Sequence, residues 1–285
     1  MEGKIVKLTG GFYYIKYGDK VIETRAKGAF RYLSQSPIVG DNVEFNYDKN
    51  TLGYIKKIYP RKNILIRPRV SNVDLVVLFV PIKEPVYNLT LIDKMIVQIE
   101  MAGIDLLIVF NKADLDFEKA KELENIYKKS GFETLCISAK NKMNINLLKD
   151  KLRGKVVAFA GVSGAGKSTI SSIILSRDIE SGEVSKKTGR GKHTTRHVEL
   201  LSSGDFYLFD TPGFSALEIK LKKENLSNYF REFSRYSGQC KFVNCNHINE
   251  PNCIIKDKVK EGVIPLSRYN NYKYLFEELR EKEEF

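Results

Sequence analysis

The chain has 285 residues, 42% of them apolar, enough for one domain of ordinary size with one or two small ones and a substantial buried core. Lys and Arg outnumber Asp and Glu by 47 to 35, and the formal charge of +12 favours a polyanionic partner, nucleic acid or anionic membrane, without choosing between them. The start, Met1-Glu-Gly-Lys-Ile-Val-Lys, has no apolar stretch of the signal-peptide kind, and no apolar run reaches membrane-spanning length. An intracellular, cytoplasmic, soluble protein is therefore expected, monomeric by default.

In chain order, residues 1 to about 71 carry five short β-rich runs, starting at Gly3, Phe12, Val21, Asn42 and Gly53, separated by Gly, Asp and Asn turns. Five such strands fit a small closed barrel of the oligonucleotide-binding type. This piece holds 14 Lys and Arg against 6 Asp and Glu, most of the positive excess. Those charges serve either a solubilising exterior or an RNA-binding face, and the interleaved Tyr and Phe are either core or stacking platforms.

From about 72 to 217 the pattern alternates. Runs 73–80, 105–110, 132–137, 155–160 and 206–210 are apolar enough for strands covered on both faces, and 91–101, 117–129 and 145–152 have helical spacing. A mostly parallel, three-layer α/β domain is predicted. Residues 218–285 hold a cysteine cluster and a charged helical tail over 266–284.

The middle segment carries nucleotide chemistry. A strand ending at Ala160 leads into Gly161-Val162-Ser163-Gly164-Ala165-Gly166-Lys167-Ser168, a phosphate loop whose backbone N–H groups turn inward and whose following helix, beginning near Lys167, adds its positive end. Lys167 is placed to bridge the β- and γ-phosphates and Ser168 to ligate Mg²⁺, with Thr169 next to it in the nucleotide-binding set. Asn111-Lys112-Ala113-Asp114 makes this a guanine site. Asp114 can accept from guanine N1–H and the N2 amino group together, Asn111 holds the loop near the N7/O6 edge, and the Lys112 stem covers the base. Adenine offers no such donor pair, so it would leave the carboxylate unsatisfied. Ser138-Ala139-Lys140 presents backbone N–H to O6. Both base-reading motifs precede the phosphate loop, the reverse of the ordinary GTP-binding order, which is what circular permutation leaves.

Asp210-Thr-Pro-Gly213 follows, with Asp210 able to hold a water of the Mg²⁺ shell and the Gly213 N–H able to sense the γ-phosphate. Between the phosphate motifs, the basic, glycine-containing stretch 181–197 reads as a mobile switch, in which Thr194 or Thr195 is the Mg²⁺ ligand. Phe214 follows Gly213 and cannot orient water by a hydrogen bond, so His193 is the internal candidate for positioning the attacking water. A structural or RNA-contacting role for His193 stands beside that reading. Cys240, Cys245, His247 and Cys253 form the ligand set of a closed structural zinc site, and Cys136 stands apart in an apolar strand.

These motifs together resemble, over the whole chain, the circularly permuted, ribosome-small-subunit-dependent GTPases of bacteria, the RsgA/YjeQ family. The resemblance rests on Asn111-Lys-Ala-Asp114, Ser138-Ala-Lys140, the 161–168 loop, Gly191-Lys-His-Thr-Thr195, Asp210-Thr-Pro-Gly-Phe214 and the Cys₃His set. Lys192 and Arg196 depart from the family's usual Arg and third Thr around the switch, which leaves the Mg²⁺-binding threonine open. The resemblance implies a barrel at 1–71, a permuted P-loop GTPase domain at 72–217 and a zinc-binding helical domain at 218–285. It also implies GTP hydrolysis stimulated by the 30S small ribosomal subunit, binding to 16S rRNA near the decoding region, action late in subunit maturation, and no membrane association. An ordinary translation factor should instead show the usual motif order, a membrane GTPase an anchor, and a nonenzymatic RNA-binding module a decayed Lys167, Ser168 or Asp210.

Overall fold

Five strands open the chain where the alternating runs place them: β1 (Glu2–Thr9), β2 (Phe12–Tyr17), β3 (Lys20–Ala26), β4 (Asn42–Asp48) and β5 (Thr51–Ile58). The computed structural model describes residues 1–26, 30, 36–48, 51–66, 68–179, 198–214 and 219–283. The predicted switch 181–197, with His193, Thr194 and Thr195, lies outside the described residues.

The five strands close on themselves. β1 pairs antiparallel with β2, β2 with β3 and β4 with β5; β3 pairs with β5 in parallel, and β1 meets β4 antiparallel to complete the barrel. Period-two patterning drives the closure, because Ile5, Ile15, Val43, Phe45 and Ile55 all turn inward and have no exposed surface. Each such burial contributes about 1.5–3 kcal/mol. The strand runs are succeeded by a small hairpin, β6 (Ile64–Ile66) with β7 (Arg69–Ser71), which the sequence pattern did not reveal. Asp41 ties this region together: its buried carboxylate accepts from Arg61 Nε at 2.7 Å, Ser71 Oγ at 2.6 Å and the Ile38 N–H at 2.9 Å.

Beyond the barrel come β8 (Leu75–Pro81), α1 (Leu89–Met101), β9 (Asp105–Asn111), α2 (Phe117–Lys129), β10 (Glu133–Cys136), α3 (Ile145–Leu152), β11 (Val156–Gly161) and α4 (Lys167–Ile179). Then follow β12 (Glu199–Ser202) and β13 (Tyr207–Phe214). Every residue of β8 and β11 is buried, as a sheet covered on both faces requires. Short polar residues start the helices. Asn88 caps α1 by accepting from the Leu91 N–H at 3.1 Å, and Asp116 caps α2 by accepting from the Lys119 N–H at 3.1 Å. β9 and β10 pair in parallel. β12, a strand the sequence analysis missed, runs antiparallel to β13. Four residues are short for period-two recognition, and β12 follows directly on the glycine-rich stretch.

The C-terminal part is helical: 3₁₀ turns over Lys223–Tyr229, then α5 (Arg231–Ser234), α6 (Ile254–Lys260) and α7 (Leu266–Glu283). α7 starts where the tail was predicted. None of the described helices is long and apolar enough to cross a membrane.

Two compact units emerge. The first comprises Met1–Val76, Lys149–Phe159 and Ser168–Phe214, and its strands run in the order β11, β13, β12, β1, β2, β3, β5, β4. Within it β12 continues the sheet onto the barrel through Lys7 opposite Glu199, whose side chains pair at 3.2 Å. The second unit comprises Val77–Leu148, Ala160–Lys167 and Ser215–Phe285, with strand order β10, β9, β8. Its C-terminal helices pack around Val97 of α1 with Leu226, Phe230, Phe233, Tyr272 and Leu275.

Candidate functional site

In the second unit, strands β8 and β9 end beside the turn that follows β11, so loops from three strand ends meet. Gly161 closes β11 at φ +129°, and a Cβ there would stand 2.4 Å from the Phe79 carbonyl oxygen of β8. Only glycine permits that approach. The turn then passes Ser163 and Gly164, both exposed, and reaches Gly166 at φ +93°, where a Cβ would lie 2.1 Å from Asn111 Nδ2. Two of the loop's glycines are therefore set by close neighbours as well as by ligand chemistry.

Asn111 joins the two motifs. Its Nδ2 donates to the Ala165 carbonyl at 2.9 Å, and its Oδ1 accepts from the Ala139 N–H at 3.3 Å, so one buried amide links the 161–167 loop to the 111–114 and 138–140 segments. Lys112 sits in the left-handed region at φ 64° and its ammonium donates to the Glu84 carbonyl. Asp114 is exposed, with Oδ1 accepting from Ser138 Oγ at 2.6 Å; Ser138 Oγ also accepts from the Asn141 N–H at 3.1 Å. Lys140 is exposed at the edge. Lys167 folds back to donate to the Gly161 and Val162 carbonyls, both at 2.7 Å, and burial holds its ammonium below the usual lysine range. A half-buried cation held, among the described residues, by neutral carbonyls is set to gain from a phosphate.

In the first unit, Ser168 and Thr169 are exposed on the first turn of α4, and Asp210 is exposed on β13 opposite Glu199. Gly213 continues the backbone of β13.

The Cys₃His set does assemble. The ligand atoms of Cys240, Cys245, His247 and Cys253 all lie within 4.8 Å of one another. His247 Nδ1 is 3.5 Å from Cys240 Sγ and 3.3 Å from Cys253 Sγ, and the two sulfurs are 3.9 Å apart. These separations suit a tetrahedron with metal–ligand bonds of roughly 2.0–2.3 Å. The loop is held from outside: Tyr269 and Tyr272 donate their hydroxyls to the His247 and Asn246 carbonyls at 2.8 and 2.7 Å, and Glu250 accepts from the Asn246 and Ile248 N–H groups at 2.7 and 3.0 Å. Burial raises the Cys245 thiol to about 12 and holds His247 below the usual imidazole range, so a cation taken up by the set would displace the Cys245 proton. Cys136 plays no part; it is buried, and burial pushes its thiol up to about 11.

On the barrel, a row crosses the strands. Phe12 of β2 lies beside Arg25 of β3, whose guanidinium sits 4.6 Å from the ring centroid, and Arg25 is opposite Tyr54 of β5. Tyr17, Tyr47 and Tyr54 are 43%, 42% and 44% exposed, whereas the buried aromatic of the five strands is Phe45. Tyr17, Tyr47 and Tyr54 thus present exposed surface, whereas Tyr13 and Tyr14 of β2 are half-buried.

Sequence reasoning missed the segment between β8 and α1 that touches both nucleotide motifs, and a buried ion cluster centred on Arg268. The one sequence signal for the latter is Asp93, a carboxylate within the apolar stripe Ile92, Met95, Ile96, Ile99.

Comparison with known proteins agrees with this geometry. The family model described as RsgA GTPase matches residues 58–220, and that described as RsgA N-terminal domain matches 2–55. The small ribosomal subunit biogenesis GTPase RsgA of Caldanaerobacter subterraneus subsp. tengcongensis is 44% identical over 287 residues, covering 99% of this chain and 97% of that protein. The crystal structure of YjeQ from Thermotoga maritima superposes with a TM-score of 0.86 at 36% identity, covering 98% of each chain. YloQ, described as a circularly permuted GTPase, gives 0.83 at 32% identity, covering 99% of this chain and 95% of its own. The chain belongs to the RsgA GTPase family.

Proposed function

We propose that this chain hydrolyses GTP to GDP and phosphate on the small ribosomal subunit, during late maturation of that subunit, with rRNA as the surface it grips. GTPase activity linked to 30S maturation follows from membership of the family, whose curated relatives carry that name. The observation that carries the reading is the Asn111 amide, which joins the phosphate loop and both guanine-reading segments in one hydrogen-bonded frame.

In this reading Asp114 pairs with guanine N1–H and N2, Asn111 and the 138–140 backbone hold the opposite edge, and the 161–167 loop with Lys167 takes the phosphates. Ser168, Asp210 and one of Thr194 and Thr195 would hold Mg²⁺, whose charge would offset that developing on the phosphates. Gly213 would report the γ-phosphate, and His193 would place the attacking water. Cys240, Cys245, His247 and Cys253 would hold one structural Zn²⁺, supported by the donor set and its spacing. Residues 1–71 act as the RNA-binding barrel, 72–217 as the permuted GTPase domain and 218–285 as the zinc-binding domain of a cytoplasmic monomer. The oligonucleotide-binding assignment is supported by the closed five-strand pairing and by the Phe12–Arg25–Tyr54 row.

The test is GTP turnover with and without purified small and large subunits. Stimulation by the small subunit alone is expected, and stimulation by neither or by both equally contradicts the reading. His193→Ala should keep GTP binding and lose turnover; full subunit-stimulated turnover by that variant removes His193 from the water-positioning role.

A further inference from the structure

Between β8 and α1, the segment 82–88 is fastened at one end to the nucleotide motifs and at the other to the C-terminal helices. Gly164 of the phosphate loop abuts Pro85 so closely that a Cβ on the glycine would stand 3.1 Å from Pro85 Cδ. The Glu84 carbonyl accepts from the Lys112 ammonium, and Lys83 pairs with Asp116 at 3.1 Å just past the base-reading loop. Glu84 at φ 49° and Lys112 at φ 64° are both left-handed, a conformation unfavourable for a non-glycine residue that persists where the surroundings enforce it.

The segment ends at Asn88, the cap of α1. α1 is in turn bound to the C-terminal helices along its length. Thr90 Oγ1 donates to Asn271 Oδ1 at 2.9 Å, Asn271 Nδ2 donates to Asp93 Oδ2 at 2.6 Å, and Lys94 pairs with Glu278 at 2.5 Å. Arg268 of α7 lies 2.5 Å from Asp93 and 2.7 Å from Glu232, all three fully buried. At the far end Arg231 grips Glu100 through two bonds of 2.7 and 3.0 Å. A helix so attached cannot slide on α7 without leaving buried charge unpaired.

The geometry points to the 82–88 segment as a positioning element of the guanine site that couples nucleotide occupancy to the seating of α7. This rests on the guanine-site assignment above. A base lying along the Lys112 stem fixes the lysine that Glu84 holds, and phosphates drawing the 163–166 N–H groups inward move the glycine against which Pro85 rests. Either displacement reaches Asn88, and α1 passes it to α7 through the Asp93 cluster. By reciprocity, loosening α7 from α1 weakens nucleotide binding by the same factor.

The test uses the full chain, a fluorescent GDP analogue for affinity and amide hydrogen exchange with and without GDP. In the unaltered protein, GDP should slow exchange over 111–116 and 161–167 and also over the first turns of α1 and residues 268–279 of α7. Lys83→Ala with Pro85→Ala should still bind GDP and still slow exchange in the phosphate loop, but lose the effect on α7 while α7's own nucleotide-free protection is unchanged. In the reverse direction, Asn271→Leu should weaken GDP about fivefold. Lys94→Met, at a half-buried surface pair, should act in the same direction if the buried substitution unfolds the helices. GDP that protects 111–116 and 161–167 while leaving α7 unaffected overturns the coupling but leaves the guanine site standing. Absence of any GDP protection at 111–116 overturns the guanine site and the coupling together. Transmission that survives in the Lys83/Pro85 variant overturns the role of the segment.

Discussion

The Asn111 side-chain amide donates to the Ala165 carbonyl at 2.9 Å, so the residue that ends β9 holds the 161–167 loop in place. Asn111 is buried, and Gly166 beside it has no room for a side chain. Asn111→Ala leaves the buried Ala165 carbonyl without its donor and the half-buried Ala139 N–H without its acceptor, a loss of about 1–3 kcal/mol for the buried group and less for the other. GTP and GDP affinity should fall at least tenfold while the helical circular dichroism is retained. Asn111→Asp should be worse, since it turns a carboxylate oxygen toward the Ala165 carbonyl. Affinity within twofold of the unaltered protein for both variants would remove Asn111 from its linking role.

Asp114, exposed and bonded among the described residues to Ser138 Oγ, can turn to a base. Asp114→Asn should weaken GTP and favour xanthosine triphosphate, because the new amide donates where xanthine presents an acceptor. Competition between the two nucleotides on the variant checks this. Unchanged preference for GTP contradicts the assigned pocket.

The Arg268 cluster joins three elements through charges with almost no exposure. Burial works to lower the Arg268 pKa but Asp93 and Glu232 outweigh it, and the result is a guanidinium raised above its ordinary value. Removing one partner of such a cluster costs about 3–5 kcal/mol. Arg268→Met should therefore lower the guanidinium chloride midpoint sharply, and it should also raise the exchange rates of α1 and α7 amides. A stability loss below about 1 kcal/mol would show that Tyr127 and Asn271 satisfy Asp93 without Arg268.

The legible parts of this molecule were those that repeat or that chemistry dictates. Period-two runs such as Asn42–Asp48, the apolar run 73–80 and the helical spacing from Leu91 gave strands and helices within a few residues, since burial on one face or both leaves a direct imprint on sequence. The glycines of the 161–166 loop were legible for a different reason, because few chemistries require them at that spacing. β12 and the β6–β7 hairpin are too short to show a period. The contacts of Pro85 with Gly164 and of Arg268 with Asp93 join residues 79 and 175 positions apart, and no local pattern encodes such a meeting. Asp93 in an apolar stripe was the single trace of it.

The Cys₃His cluster predicts one zinc per chain in protein purified without chelator. The loop that carries the set is braced by Tyr269, Tyr272 and Glu250. Stripping the metal should loosen 240–253 and α6 first, and should reduce nucleotide affinity only modestly, because the phosphate loop and base motifs draw their hydrogen bonds from other residues. Cys240→Ser should act alike. Elemental analysis without stoichiometric zinc would defeat the assignment.

On the proposed RNA-binding reading the barrel would grip by charge and by stacking, and salt tells the two apart. Phosphate contacts exchange condensed counterions, so each one lost flattens the dependence of binding on salt, whereas base stacking on an aromatic ring is nearly indifferent to it. Lys20 is exposed opposite Tyr17, and Tyr54 is 44% exposed opposite Arg25. Lys20→Ala should weaken small-subunit binding slightly and reduce the salt slope by about one. Tyr54→Ala should weaken binding at least fivefold, as expected for about 1–3 kcal/mol of stacking on one base, with the slope unchanged. Point substitutions are the right probes, because removing residues 1–71 would also strip β12 of its pairing with β1. Basal hydrolysis should be untouched in both variants, while stimulation at subsaturating subunit should fall in proportion to binding. A Tyr54→Ala variant that binds and responds like the unaltered protein would show that the barrel holds the subunit by charge alone.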